Sequence, residues 1–461
     1  METVADTAKM FPKTFFLSPV LFTVTLCQFD PHFFGNRTTF VHLFEWKWLD
    51  VAEECERFLS QKAYGGVQIS PPNENLVIPN RPWIYVDAVI NHMTASDGVG
   101  TAGSRADYKN KAFPAVPYTK DDFHGDCALN NYQDSNNVRN CQLVGLSDLD
   151  HSREHVRQKI IEYMNHLVDL GVAGFRIDAA KHMWPEDLKK ILAGLKNLNT
   201  AHGFATNSKP FVFQEVTDSG TDQIKDYADI AAVTEFKYSN SITNVFQGND
   251  KLTYLDSWGP KWSFLVHGTP VVFVDNHDTQ REQGKLTYKD SKRYKMATAF
   301  MLAHPYGIPK VMSSFFFNNK DQGPPQDASG NLVSPTINPD DTCGSGYVCE
   351  HRWRQIYSMV EFRNLVKGTE VTNWWSNGDQ QIAFCRGNKG FVAFTNWGDL
   401  KKDLQTCLAP GRYCDIISGS LKDGRCTGKQ VEVKENGFGF ISLSAGEYDG
   451  VLAIHVNSKS L

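Results

Sequence analysis

No apolar run in this 461-residue chain reaches the roughly 20 consecutive residues that a membrane-spanning helix needs, so the chain reads as soluble. Long runs of one charge are also missing. The 47 basic and 52 acidic residues are spread along the sequence for a net −5, which excludes nucleic acid and an anionic membrane as main partners and points to a neutral or small substrate. CxxC pairs are absent, so the ten widely spaced cysteines favour disulfides over zinc. A disorder-prone composition is lacking too, with 41% hydrophobic, 12% aromatic and 21% charged residues. The length excludes a small disulfide knot or an isolated binding module, and favours one large catalytic-sized domain with a smaller one beside it.

The start of the chain has its own character. After Met10, the stretch Phe11-Pro12-Lys13 leads into an apolar run that ends at Leu26-Cys27, the positive lead and short apolar core of a secretory signal. Residues 1–27 are therefore expected to be a signal with an upstream extension, Gln28 the mature start, and the protein a secreted monomer. Asn36-Arg37-Thr38 is a glycosylation sequon.

Strand-like runs at 38–44, 66–70, 84–90, 173–177, 211–213, 232–236, 270–274 and 309–312 alternate mostly with helical patterns. Val156, Ile160, Met164 and Leu167 follow helical spacing up to Gly171, and Leu188, Ile191, Leu192, Leu195 and Leu198 do the same; further helices fall at 50–59, 291–304 and 350–366. Eight strands in this alternation predict an α/β fold, a (β/α)8 barrel over 28–90 and 150–367. Residues 91–149, rich in Gly, Asn, Asp and Tyr without a clear period, predict an irregular inserted subdomain after strand 3. Residues 368–461, with short alternating runs broken by Gly and Asn, predict a C-terminal antiparallel β domain.

Three acids stand at predicted strand ends: Asp178, Glu215 and Asp278. Active sites of such barrels lie on that face. One acid there reads equally well as a cap or an ion-pair partner, whereas three converging on one axis repel each other and need a purpose. Retaining cleavage of a glycosidic bond supplies one, using a carboxylate nucleophile and a carboxylic acid about 5 to 5.5 Å apart, with a third carboxylate to stabilise developing positive charge. His92, His182 and His277 share the same rim and can bind sugar hydroxyls.

The runs Asp87-Ala88-Val89-Ile90-Asn91-His92, Gly174-Phe175-Arg176-Ile177-Asp178-Ala179-Ala180-Lys181-His182, Phe213-Gln214-Glu215-Val216 and Phe273-Val274-Asp275-Asn276-His277-Asp278 resemble the four signature regions of animal-type α-amylases. The resemblance extends over most of residues 28–461. It implies Asp178 as nucleophile, Glu215 as general acid/base and Asp278 as transition-state stabiliser, acting on internal α-1,4-glucosidic bonds of starch and glycogen. It also implies that Trp83, His92, Lys181, His182 and His277 line the sugar cleft. A calcium ion is implied between barrel and insert, held by Asn91, Asp148 and the backbone carbonyls of Arg139 and His182, a hard oxygen set suited to that ion. Disulfides are implied for Cys127 with Cys141, Cys343 with Cys349, Cys385 with Cys407, and Cys414 with Cys426.

Two departures stand out. Between strands 2 and 3 only residues 71–83 intervene, thirteen positions with Pro71, Pro72, Pro79 and Pro82, where parallel neighbours need a crossover of a dozen or more residues, usually a helix. The family has a longer segment there, which includes the partner of Cys55. Barrel helix 2 is thus expected to be missing, leaving seven covering helices and an exposed apolar flank; an exon-skipped or mis-assembled form, or a catalytically impaired carbohydrate-binding protein, is the alternative reading. The second departure concerns chloride. Arg176 and Asn276 match two of the family's chloride ligands, but Phe316 stands where an arginine is expected, so chloride binding should be weak or absent.

Overall fold

Short runs of β-branched and aromatic residues form a closed parallel barrel of eight strands. In the computed structural model, which describes residues 28–72, 83–100, 103–220, 223–266 and 268–460, these are β1 (Phe40–Leu43), β2 (Gly66–Ile69), β3 (Trp83–Ala88), β4 (Gly174–Ile177), β5 (Phe211–Gln214), β6 (Ala232–Thr234), β7 (Pro270–Val272) and β8 (Ile308–Ser313). Each pairs with its neighbours in sequence, and β1 pairs with both β2 and β8 to close the ring. The expected signal at 1–27 lies outside the described residues.

Among the described residues, six α-helices surround the barrel: α1 (Trp48–Glu54), α2 (Glu154–Asp169), α3 (Pro185–Ala193), α4 (Phe236–Phe246), α5 (Ser291–Ala303) and α6 (Arg354–Leu365). Seven covering helices were expected. Between β5 and β6 the described residues hold only the single 3-10 turn Ile224–Asp226, because Thr217-Asp218-Ser219-Gly220 opens that connection with turn-forming residues. Helix α3 stops at Gly194, so Leu195 and Leu198 lie beyond it, yet both are buried. Likewise α6 begins at Arg354, and Glu350–Arg352 form a 3-10 turn ahead of it.

Strand β3 pairs directly with β2, Gly66 opposite Trp83 through Ile69 opposite Val86. The connection between them is short, and its residues 73–82 are not among those described. On that flank Val67, Ile69, Val86 and Cys55 are buried, and Ile84 is half-buried.

The chain beyond α6 folds into two four-stranded antiparallel sheets with a small apolar core of their own. One sheet covers α5, whose residues from Tyr294 to Ala303 are all buried. That explains a helix apolar on every side: one side packs on the barrel and the other on the C-terminal sheet. Phe300 sits between Phe246, Phe384 and Phe394 at ring distances of about 6.0 Å. All four disulfides implied by the resemblance are formed.

Candidate active site

Strand alternation sends Arg176 of β4 into the barrel, where it is 1% exposed. Its Nη1 donates to Asp87 Oδ1 at 2.6 Å and to Asp178 Oδ1 at 2.8 Å. Nη2 lies 2.6 Å from Glu215 Oε1, a close ion pair although it is not aligned as a hydrogen bond. One guanidinium therefore gathers three carboxylates, Asp87 within β3 and Asp178 and Glu215 just past the ends of β4 and β5. Burial alone would lower its pKa, but Asp87, Glu215 and Asp178 outweigh that and hold it well above the ordinary arginine value.

The turn after Asp178 is strained in the same service. Ala179 takes a left-handed φ of 48°, unusual for a residue with a Cβ, and its N–H donates to Glu215 Oε2 at 3.0 Å. Burial pushes the Glu215 carboxyl up, but Arg176, this N–H and His277 outweigh it, and the group sits below the usual glutamate value. Asp278 is set by another device: Asn276 Oδ1 accepts from the N–H groups of Asp278 and Thr279 at 2.9 and 2.7 Å. Desolvation, then the charge of Glu215, raises Asp278 to about 6. Because 63% of that side chain is open to solvent, water screens part of the effect and the upward direction is its firm content.

His277, beside Asp278, is held neutral: burial, then Arg176, pushes it down to about 3. Its ring packs against His42 and Phe44 at 5.4 and 5.2 Å. His92 lies close enough to Asp178 and His182 to feel both charges. His182 Nδ1 is 2.9 Å from the Val138 carbonyl, which docks the insert helix Ser135–Asn140 onto the rim. Lys181 is buried, and its ammonium donates to Thr217 O at 2.9 Å, to Ser219 Oγ at 2.8 Å and to Ser219 O, so in this structure it organises the loop after β5. The side chain of Trp83 is outside what the structure describes.

Two of the implied calcium donors, Asn91 and Asp148, lie side by side. Asn91 is fully buried and its Oδ1 has no protein partner; its Nδ2 lies 3.4 Å from Asp148 Oδ1. Asp148 is 2% exposed, with His124 Nδ1 at 2.7 Å from its other oxygen. Tyr227 stiffens the surroundings, donating its OH to the Lys181 and Met183 carbonyls and accepting from Arg139 Nε. An orphaned buried amide oxygen beside a buried carboxylate fits a hard cation.

Residues 83–311 match the family model of the α-amylase catalytic domain, and residues 374–457 that of the α-amylase C-terminal all-beta domain. The chain is 58% identical to an α-amylase of Tribolium castaneum, covering 95% of this chain and 98% of that one. The chain belongs to the α-amylase family. An α-amylase of Tenebrio molitor is 57% identical, covering 94% of this chain and all of its own, and an α-amylase-related protein of Drosophila melanogaster is 52% identical, covering 95% and 97%. α-Amylase I of Eisenia fetida, in a mutant solved with maltohexaose, is 35% identical with a TM-score of 0.87, covering 93% of this chain and 99% of its own. The Tribolium alignment spans 479 positions, whereas 95% of 461 residues is about 438, so about 41 aligned positions have no counterpart in this α-amylase family chain.

Sequence reasoning passed over Asp87, His42 and Lys310, all buried inside the barrel. Asp87 opens the first signature run but is no strand-end acid. Lys310 in β8 donates to Gln68 Oε1 at 3.3 Å; burial, then Arg176, lowers it to about 8. At the position singled out for chloride, Phe316 is 55% exposed and meets Tyr288 edge-on at 5.6 Å.

Proposed function

We propose that this α-amylase family member hydrolyses internal α-1,4-glucosidic bonds of starch and glycogen with retention. Asp178 attacks the anomeric carbon while Glu215 gives its proton to the departing glucosyl oxygen. Water, deprotonated by Glu215, then attacks the glycosyl–Asp178 ester and frees the carboxylate. Asp278 stabilises the oxocarbenium-like charge in both steps. The observation that carries this reading is the clustering of Asp178 and Glu215 on Arg176, with Asp278 close enough to feel their charges. Arg176 holds Asp178 in place for attack, donating from Nη1 to its Oδ1. Glu215 must regain its proton for the first step, and a sugar that fills the cleft favours this by excluding water from the carboxyl.

Asn91, Asp148 and the carbonyls of Arg139 and His182 would hold calcium, which would pin the insert, and with it His92 and His182, to the rim. Four disulfides agree with an oxidising, extracellular destination, and no helix among the described residues is long and apolar enough to cross a membrane. Reducing-end release from soluble starch by the purified chain tests the function. Glu215→Gln should lower kcat by about 10²- to 10⁴-fold; release that is absent in the unmodified chain, or unchanged by the substitution, would overturn the assignment.

A further inference from the structure

The sequence holds a single Asn-X-Ser/Thr tripeptide with X other than proline, Asn36-Arg37-Thr38, and no part of the active site uses it. It lies in the segment leading into β1, at the end of the barrel opposite the acids. Residues 34–37 make a reverse turn, in which the Arg37 N–H donates to the Phe34 carbonyl at 3.4 Å. Gly35 takes a φ of 60° at its second position, where a residue without a Cβ is favoured. Arg37 anchors the turn, its Nη1 and Nη2 donating to the carbonyls of Tyr64 and Ser60, both at 2.8 Å.

Asn36 is exposed in this turn, and among the described residues its amide meets no partner. Phe34, two residues earlier, is 62% exposed, with the Arg37 guanidinium over its ring at 5.2 Å. The face of such a ring is electron-rich and takes up the C–H groups of a sugar. Thr38, in contrast, is engaged by the fold: its Oγ1 donates to Asn364 Oδ1 of α6 at 2.7 Å. The third residue of the tripeptide is thus occupied once folding is complete while the first stays free. This suits attachment to the emerging chain, before Thr38 docks on α6.

We propose that Asn36 carries an N-linked glycan whose first N-acetylglucosamine packs on Phe34. Such a glycan rests on the extracellular destination proposed above, because it is added only along the secretory route. In the attachment step Asn36 Nδ2 bonds to C1 of the sugar and gives up one proton. The bond from C1 to the oxygen of a lipid-linked diphosphate breaks, and the diphosphate leaves with its electron pair. At the end of the barrel away from the acids, the glycan leaves the cleft open; it covers Phe34 and stiffens the turn ahead of β1.

Mass spectrometry of the full chain secreted by cultured insect cells tests the site. One glycan is expected, mapped to the peptide that holds Asn36, retained in Thr38→Ser and lost in Asn36→Gln and Thr38→Ala. A double-mutant cycle tests the packing. Asn36→Gln should lower Tm by a few degrees on its own and hardly at all in a Phe34→Ala background, while starch hydrolysis changes less than two-fold in either. A chain recovered from the medium with its four disulfides but a bare Asn36 would overturn the site and leave the destination standing. A chain kept inside the cells without disulfides or glycan would overturn both. A gain in Tm from the glycan that is equal with and without Phe34 would refute its packing on the ring.

Discussion

With its guanidinium shared among Asp87, Asp178 and Glu215, Arg176 ties these acids into one charged cluster. Asp278 stands outside that clamp and is raised toward about 6, by desolvation first and then by the negative charge of Glu215. It must be ionised to stabilise positive charge, so kcat/KM should fall as the pH drops through the region just below 6, above the ordinary aspartate range. The pH profile on a soluble maltooligosaccharide checks this, and an acid limb near 4 would contradict it. A second buried set holds structure. Glu54, His351 and Arg352 are bonded at 2.6 to 2.8 Å with no exposure at Glu54. Burial raises the Glu54 carboxyl, but its hydrogen bonds to His351 and Arg352 win and bring it to about 2. A depressed carboxylate stabilises the fold above its ordinary pKa, and that stability is lost as pH falls toward the folded value. Glu54→Gln should thus cost about 3 to 5 kcal/mol at neutral pH by removing the buried carboxylate that pairs with Arg352. Urea unfolding should show the gap to the unmodified chain narrowing between pH 4.5 and about 2.

At the scale of elements, the eight barrel strands were legible because each is a brief apolar run bounded by turn residues. Their ends were less so, since two-sided burial removes the alternation that marks a register. The acids Asp178, Glu215 and Asp278 were legible for the same reason, standing where an apolar run stops. Asp87 and Lys310 were hidden inside strands, where nothing local tells an inward charge from an error of register. Helix α5 gave its existence by length but not its surroundings: only the structure shows the C-terminal sheet covering its outer side. Phe300→Ala should therefore cost about 3 to 5 kcal/mol and loosen both domains, read as a lowered denaturant midpoint with a single transition. Strand β8 carries the chloride question. Phe316 just beyond it turns outward, and Arg176 is already surrounded by three carboxylates, so added chloride should change the starch rate by less than about two-fold; a several-fold rise would show that other groups build the anion site.

For the whole molecule, the ten cysteines resolve into four bridges, one residue in the undescribed 1–27 and the buried thiol of Cys55. Spacing alone left that pairing open, and the family likeness supplied it. The insert is the part least explained by its own sequence. Apart from the short helix Ser135–Asn140 and a two-residue ladder, its described residues are turns and bridges held by one disulfide and by polar contacts around Asn91 and Asp148. Phe113, Tyr118, Phe123 and Leu149 join the insert to the main core, but the buried Asn91 oxygen and Asp148 carboxylate cost stability unless they are satisfied. A calcium ion would do both at once, and by linkage it would stabilise the folded state in proportion to the logarithm of its free concentration over Kd. Excess EDTA should accordingly lower Tm by several degrees and reduce starch hydrolysis, with both restored by calcium but not by magnesium, which demands a tighter octahedral shell. Asn91→Ala should show the low Tm with or without EDTA. Melting that is indifferent to EDTA in the unmodified chain would mean that the insert is ordered by its protein contacts alone.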